Sequence, residues 1–334
     1  MTAKLSDVAR IAGVSVSTAS RALSHPEMLR PATVKRVRLA ARALGYAPNA
    51  AAVALTTGRY ESLGLVLHSL TNPLYARFAS SVQRHAQEHG YGLHIVDTVG
   101  VDDREVELCE SLCRHQTGGI VSIASRLPEQ QLRMLRERIP LVLVNRHVSG
   151  IPAVVVDVST GIARMIDHLA DLGHSHIVYV SGPIQTWSDE RRRRRVRERI
   201  RLYDMRMELI GPTPPVFRSG IVAAERALSV GATAVLAYNS LIALGVMFQL
   251  AAAGARVPED ISVASGDDFE TLGVSGPALT ALRLPIDDAG ALSVQLMLAL
   301  LAGEKPPSKP LTIPVSLVPR QSTARAATAS RVPH

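Results

Sequence analysis

Between Leu63 and Val318 short apolar runs alternate with helical patterns, and few folds accept that alternation. LGLVLHS, GLHIVD, GIVSIA, PLVLVN, AVVVDV, HIVYVSG, TAVLAY, DISVAS and LTIPVSLV predict strands. Apolar residues at helical spacing predict helices over 74–89, 102–116, 128–138, 160–172, 188–203, 221–229, 241–253 and 288–302. Near-continuous Val/Ile/Leu strands separated by helices form parallel sheets buried on both faces. These units exceed one comfortable sheet, so two Rossmann-like lobes with a cleft between them are expected. In such sheets ligands bind beyond the carboxyl ends of the strands.

The first 60 residues read differently. In LSDVARIAGVSVSTASRAL, Leu5 to Leu23, two short helices are joined by a tight turn at Gly13. Val8, Ala9, Ala12, Val14, Ala19 and Leu23 make an apolar seam, and Ala9 lets the helix axes cross closely. Ser15 is placed to cap the second helix. Val16, Ser17, Thr18, Ser20 and Arg21 then face outward. Short hydroxyls plus one guanidinium suit a helix whose N-terminal end enters a DNA major groove. A third helix is expected from Pro31 to about Leu44, with Val34, Val37, Ala41 and Leu44 as its apolar stripe.

Charge supports this reading. The chain carries a net charge of +8, and residues 1–60 hold nine basic side chains against two acids, a net of +7. A small basic head on a nearly neutral body is the footprint of a nucleic-acid reader. A membrane-surface head would need Trp or Phe, and the head has neither. The uncharged stretch Val230 to Ala255 is long enough to span a bilayer. Gly231, Asn239, Ser240, Gly245, Gln249 and Gly254 interrupt it, and strand, turn and helix explain it better. Two cysteines, Cys109 and Cys113, share a helix face and suit buried thiols rather than a disulfide framework. No secretory signal is visible, and a cytoplasmic location is expected.

LSDVARIAGVSVSTASRAL, ALGYAPNAAAVAL, NPLYARFASSVQRHAQEHGY, DHLADLGHSHIVYVSGP, TAVLAYNSLIALG, VPEDISV, GDDF, PALTALRLP and SLVPRQST follow one another in an order that is highly specific. In these stretches, from residue 5 to about 323, the chain resembles LacI/GalR-family transcriptional regulators. The resemblance implies an α/β protein: a helix-turn-helix head and a two-lobed core like the periplasmic sugar-binding proteins. Its expected limits are residues 1–47 for the head and 48–60 for a hinge helix and linker. The core would span 61–323, with one lobe of about 61–158 and 285–312 and the other of about 159–284 and 313–323. A disordered tail over 324–334 would follow.

The resemblance also implies a homodimer on a pseudo-palindromic DNA operator, with a small-molecule effector in the cleft setting DNA affinity. It places Val16, Ser17 and Arg21 at base-reading positions and Thr18 and Ser20 against the backbone. Asn49 also falls among the DNA-contacting positions, and Leu55 matches a hinge leucine that wedges into the minor groove. Leu74, Tyr75, Asn145, Arg192, Asn239 and Asp267 match effector-contacting positions. Their carboxylate, amide and guanidinium groups suit a polyol or a ligand with an anionic group.

Several residues depart from the family pattern. Lys4 and Arg30 replace capping hydroxyls, and Val53 replaces a frequent hinge Arg. Ser240 stands where an Asp is usual, which favours an anionic effector over a neutral sugar. Arg195 replaces a Gly within the run Arg191 to Arg195, read as a solvated basic face or as an extra anchor for an anion. Enzyme readings fare poorly: no GxGxxG follows a strand, and P-loop, HExxH and GxSxG are absent. The pairs His85/His89 and Cys109/Cys113 lack further ligands, so no metal or cofactor is expected. The expected function is a repressor-type regulator responding to a sugar-like or anionic metabolite. A DNA-binding regulator with an unresponsive pocket is the alternative, and a two-lobed sugar- or nucleotide-modifying enzyme is the reading from another class.

Overall fold

The computed structural model describes residues 3–24, 26–46, 60–114, 117–183, 186–268 and 276–326. Two compact units divide the chain, one ending at Ser62 and one beginning at Leu63. Asn49, Leu55 and the expected hinge helix lie outside the described residues.

The first unit holds α1 (Leu5–Ala12), α2 (Val16–Ser24) and α3 (Pro31–Ala43), with a 3-10 turn at Pro26–Met28. Its core is built almost wholly from small residues: Val8, Ala9, Ala12, Ala19, Ala22, Val37, Ala40 and Ala41. Leu23 packs half-buried against this core as expected, and Ala22 beside it is fully buried. Gly13 takes the left-handed φ of 63° that reverses the chain after α1. The Ser15 hydroxyl accepts from the Thr18 amide at 3.1 Å, capping α2 as expected. Lys4 has only donors, so α1 keeps half a capping box, with the Asp7 carboxylate accepting from the Lys4 amide at 3.0 Å.

The second unit is two sheets. Its first half runs β1 (Ser62–Leu67), α4 (Pro73–Glu88), β2 (Gly92–Asp97), α5 (Asp102–Arg114), β3 (Ile120–Ile123), α6 (Glu129–Arg138), β4 (Leu141–Val144) and β5 (Ala153–Asp157). There follow α7 (Val158–Asp171), β6 (His176–Val180), α8 (Trp187–Leu202), β7 (Arg206–Ile210), α9 (Phe217–Ser229), β8 (Ala234–Ala237), α10 (Ser240–Ala252) and β9 (Ser262–Ser265). Last come β10 (Thr280–Arg283), α11 (Ile286–Leu301), β11 (Leu311–Pro314) and β12 (Ser316–Val318). One sheet has the order β11-β5-β4-β3-β1-β2, the other β12-β10-β9-β8-β6-β7. The central strands β3, β4, β8 and β9 are buried at every position, which is why their sequences show no alternation.

Three expectations about the strands change. LTIPVSLV is not one strand: Leu311 pairs in parallel with Val154 in the first sheet, while Val318 pairs antiparallel with Ala281 in the second. Pro314 lacks the amide that would continue the ladder, and an apolar run alone carries no mark of a crossing. β7, RMELI, is a half-exposed edge strand absent from the expected strands. β10, TALR, is only four residues long and gives too little pattern to read.

The chain stays on the second lobe past Thr323, three residues beyond the expected start of a loose tail. The Ala324 amide donates to the Ser262 hydroxyl at 3.1 Å, and the Ala326 amide donates to the Leu172 carbonyl at 2.9 Å. His174, 3% exposed, closes the attachment with Nε2 donating to the Ala324 carbonyl at 3.1 Å. Burial holds its imidazole below the ordinary value of 6.5, with His168 nearby adding to the shift and the Ala324 carbonyl opposing it. The unfolded chain therefore binds that proton more readily than the folded one. The His174 contribution to stability is complete above about pH 6.5 and is lost as pH falls through the lower folded value. Melting temperature is expected to drop on going from pH 7.5 to 5.5, and less steeply in His174→Gln. Identical pH slopes for the two proteins would refute the assignment.

Candidate DNA-reading face and ligand cavity

On α2 the residues expected to meet bases stand in solvent. Val16, Ser17, Ser20 and Arg21 are exposed, and Val16 keeps 49% of its surface accessible although it is apolar. Thr18 is half-buried, its hydroxyl 2.8 Å from the Ser15 hydroxyl, which also lies 2.9 Å from that of Ser17. These contacts hold the first turn of α2 and leave its outward face to Val16, Ser20 and Arg21. Lys35, Arg36 and Arg38 are exposed on α3 of the same unit.

The second unit encloses a cavity of about 570 Å³ where strand ends of both sheets meet helix starts. That size lies within the roughly 300–1,000 Å³ of small-molecule sites. Leu74, Tyr75, Asn145, Arg192, Asn239 and Asp267 all line it, so the structure brings together the six residues expected to contact an effector. Asn72, Thr186 and Asn239 cap α4, α8 and α10, accepting from the Leu74, Asp189 and Ile242 amides. All three caps line the cavity, which therefore receives three helix N-termini.

Each side chain is held by the protein in a distinct way. Arg192, 6% exposed, donates from Nη1 to the Tyr238 carbonyl at 2.7 Å. Its guanidinium carbon lies 4.3 Å from the centre of the Tyr238 ring, and its buried Nε has no acceptor among the described residues. Asp267 accepts from the Ser240 amide at 2.6 Å. Burial pushes its carboxyl pKa up, against the Ser240 hydrogen bonds and the Arg192 charge. Tyr75 stands edge-on to His68 with ring centres 6.4 Å apart, and burial raises its phenol. His68 is itself engaged, Nε2 donating to the Ala124 carbonyl and Nδ1 meeting the Thr98 hydroxyl, both at 2.8 Å.

Backbone strain collects at the same place. Among the described residues other than glycine, Val99, Ala124, Asn145 and Asp204 have positive φ, and the first three line the cavity. Such conformations cost about 1–3 kcal/mol each, and surrounding structure must hold them. Asn145 is held by its own side chain, whose oxygen accepts from the Val156 amide at 3.0 Å.

Some expected roles change. Asn239 lines the cavity, but its oxygen caps α10 and its Nδ2 donates to the Pro215 carbonyl at 3.1 Å, so the amide builds the wall. Ser240 is 3% exposed, holds Asp267 through its amide and is not a lining residue, so the ligand preference expected from it loses its basis. Of the run Arg191 to Arg195, only Arg192 lines the cavity. Arg191 stacks on Trp187 at 4.8 Å, Arg193 lies 3.7 Å from Asp189, and Arg194 and Arg195 pair with Glu198. The extra-anchor reading of Arg195 is thereby corrected: helical spacing turns four of the five away.

Arg126, Trp187 and Tyr238 line the cavity and were missed. Each follows a strand end by a few residues or opens a helix, a placement that the strand-end rule could have flagged. No group of three or more metal-ligating side chains occurs among the described residues. Cys109 is buried, which pushes its thiol up to about 12 and makes it a poor nucleophile at neutral pH.

Residues 4–49 match the family model described as bacterial regulatory proteins, lacI family, and residues 166–323 match a periplasmic binding protein-like domain. The chain is 32% identical over 318 residues to the transcriptional regulator GalR of Salmonella typhimurium, covering 91% of each protein. It belongs to the LacI family. A LacI-family regulator is a DNA-binding transcription factor with an effector-binding domain, and both parts are present here. Another member of the family, PtxS of Pseudomonas aeruginosa, is 28% identical over 325 residues, covering 96% of this chain and 95% of that protein. The solved lac repressor dimer bound to operator and the anti-inducer ONPF shares the fold, with a TM-score of 0.86. That match has 24% identity and covers 97% of this chain and all of the repressor chain.

Proposed function

We propose that this LacI-family protein is a cytoplasmic repressor acting as a homodimer, with two heads on the half-sites of a pseudo-palindromic operator. A small metabolite in the cavity sets its operator affinity, and the protein catalyses no reaction. The observation that carries this reading is the joining, in one chain, of an exposed Val16–Arg21 face and a cavity walled by both lobes. Leu74, Tyr75 and Asn145 come from one lobe, Arg192 and Asp267 from the other, so a ligand touching both has different contacts when the lobes move. No described helix is long and apolar enough to cross a membrane, which agrees with an intracellular DNA partner.

Selection from random duplexes is expected to return a two-fold site. Arg21→Ala should then lower the preference for that site over random DNA by about 1–3 kcal/mol, the worth of a guanidinium on a guanine edge. Arg36→Ala should weaken binding to all sequences alike and flatten the salt dependence by roughly one unit of log-log slope. Equal loss on specific and random DNA for Arg21→Ala would remove it from the base-reading set. Operator binding by a stable monomer in sedimentation would contradict the homodimer. Operator affinity indifferent to a broad panel of metabolites would favour the unresponsive regulator instead.

A further inference from the structure

The charge inside the cavity is lopsided. Arg192 enters from α8 of one lobe, and Arg126 enters from the loop after β3 of the other. Arg126 is positioned by its backbone, whose amide donates to the buried Glu105 carboxylate at 3.1 Å, and by Nη1 donating to the Gly100 carbonyl at 3.2 Å. Both arginines line the same cavity as Tyr75 and Tyr238, which stand on opposite lobes. The N-termini of α4, α8 and α10, helices of 16, 16 and 13 residues, add partial positive charge there. Against this stands, among the described lining residues, one carboxylate, Asp267, already accepting from the Ser240 amide. Within this field Arg192 is 6% exposed, and its Nε is a buried donor with no acceptor among the described residues. A buried donor left without a partner is costly.

We infer that the ligand of this cavity is a small hydroxylated acid whose carboxylate or phosphate sits between Arg126 and Arg192. An acid group pairs with Arg192 from the cavity side, and the second guanidinium completes its neutralisation across the cleft. Asp267 then takes a ligand hydroxyl rather than a charge. Because the two cations belong to different lobes, occupancy holds the lobes together. Arg126 is thus a specificity-determining residue, and the inference rests on the proposed cavity being the effector site.

Isothermal titration of the full-length protein with matched probes tests it: glucose, gluconate and glucose 6-phosphate, and ribose, ribonate and ribose 5-phosphate. At least one acid is expected to bind tenfold or more tightly than its neutral parent, and whether it is the aldonate or the phosphate ester identifies the acid group. Arg126→Gln should weaken that acid at least tenfold, and Arg126→Lys, which keeps a charge without the planar fork, should weaken it less. If the Gln variant does not melt cooperatively, the Lys variant carries the comparison, with a loss of twofold or more expected. Neutral parents binding as tightly as their acids, no acid binding at millimolar concentration, or unchanged acid affinity in the Arg126 variants would each overturn the inference. An acid that binds as described but leaves operator affinity unchanged would sink the effector reading and leave the Arg126–Arg192 clamp standing.

Discussion

Arg320→Ala is expected to lower the unfolding free energy by about 3 kcal/mol, the low end of the cost of stranding one member of a buried ion pair, because the Arg320 side chain keeps 22% of its surface exposed. Asp268 is the stranded partner, its side chain 7% exposed and gripped by both terminal nitrogens of Arg320 at 2.9 and 2.6 Å. The same Arg320 donates to the Leu279 carbonyl at 2.6 Å, so its guanidinium also holds backbone. Arg283 stays 3.8 Å from Asp268 in the variant, but at 53% side-chain exposure its charge is largely screened. Asp268 follows Asp267 directly, and Arg320 follows β12, so the pair ties the returning chain to the cavity wall. Urea melts measure the loss, and a change below 1 kcal/mol would contradict it. The pair Asp268→Leu and Arg320→Met should recover much of the stability, because no charge is then left buried.

Gly220→Ala should cost about 3 kcal/mol, the upper end for adding a methyl group to a full core. Gly220 on α9 and Gly245 on α10 touch backbone to backbone. A Cβ on Gly220 would lie inside contact distance of the Ile242 carbonyl oxygen, and one on Gly245 inside that of Phe217. Neither obstacle is a side chain that can turn away, so the two helices must separate. Ala223, Ala224 and Ala227 extend this thin seam against Ile242, Ala243 and Val246, and all six are buried. The displacement reaches the cavity, since Val216 precedes α9 and Asn239 caps α10 while holding the Pro215 carbonyl. A lower melting temperature together with weakened ligand binding is expected. Wild-type stability in Gly220→Ala would show that the helices part at little cost.

Much of the head could be read along the chain because its determinants are close neighbours. Gly13, Ser15 and the alanine seam act within one or two helical turns, and the outward Val16, Ser17, Ser20 and Arg21 follow from a period of 3.6. The buried central strands were equally plain, as unbroken apolar runs. The crossing inside LTIPVSLV was not, because a residue leaving one sheet for another keeps the same hydrophobicity. Helical spacing allowed only part of the Arg191–Arg195 run to face one way, yet did not say which; packing of α8 chose Arg192.

The sequence by itself determined the fold class, the basic head, the family and six of the residues that end up lining the cavity. It did so because periodicity, charge and motif order belong to the chain before it folds. Only the tertiary structure decided what those groups are free to do. It committed Asn239 to Ile242 and Pro215, turned Ser240 towards Asp267, and brought Arg126 and Arg192, 66 positions apart in the chain, to one cavity. Hydrogen-bond partners and convergent charges depend on distances in space between residues far apart in the chain, and no local pattern encodes those distances.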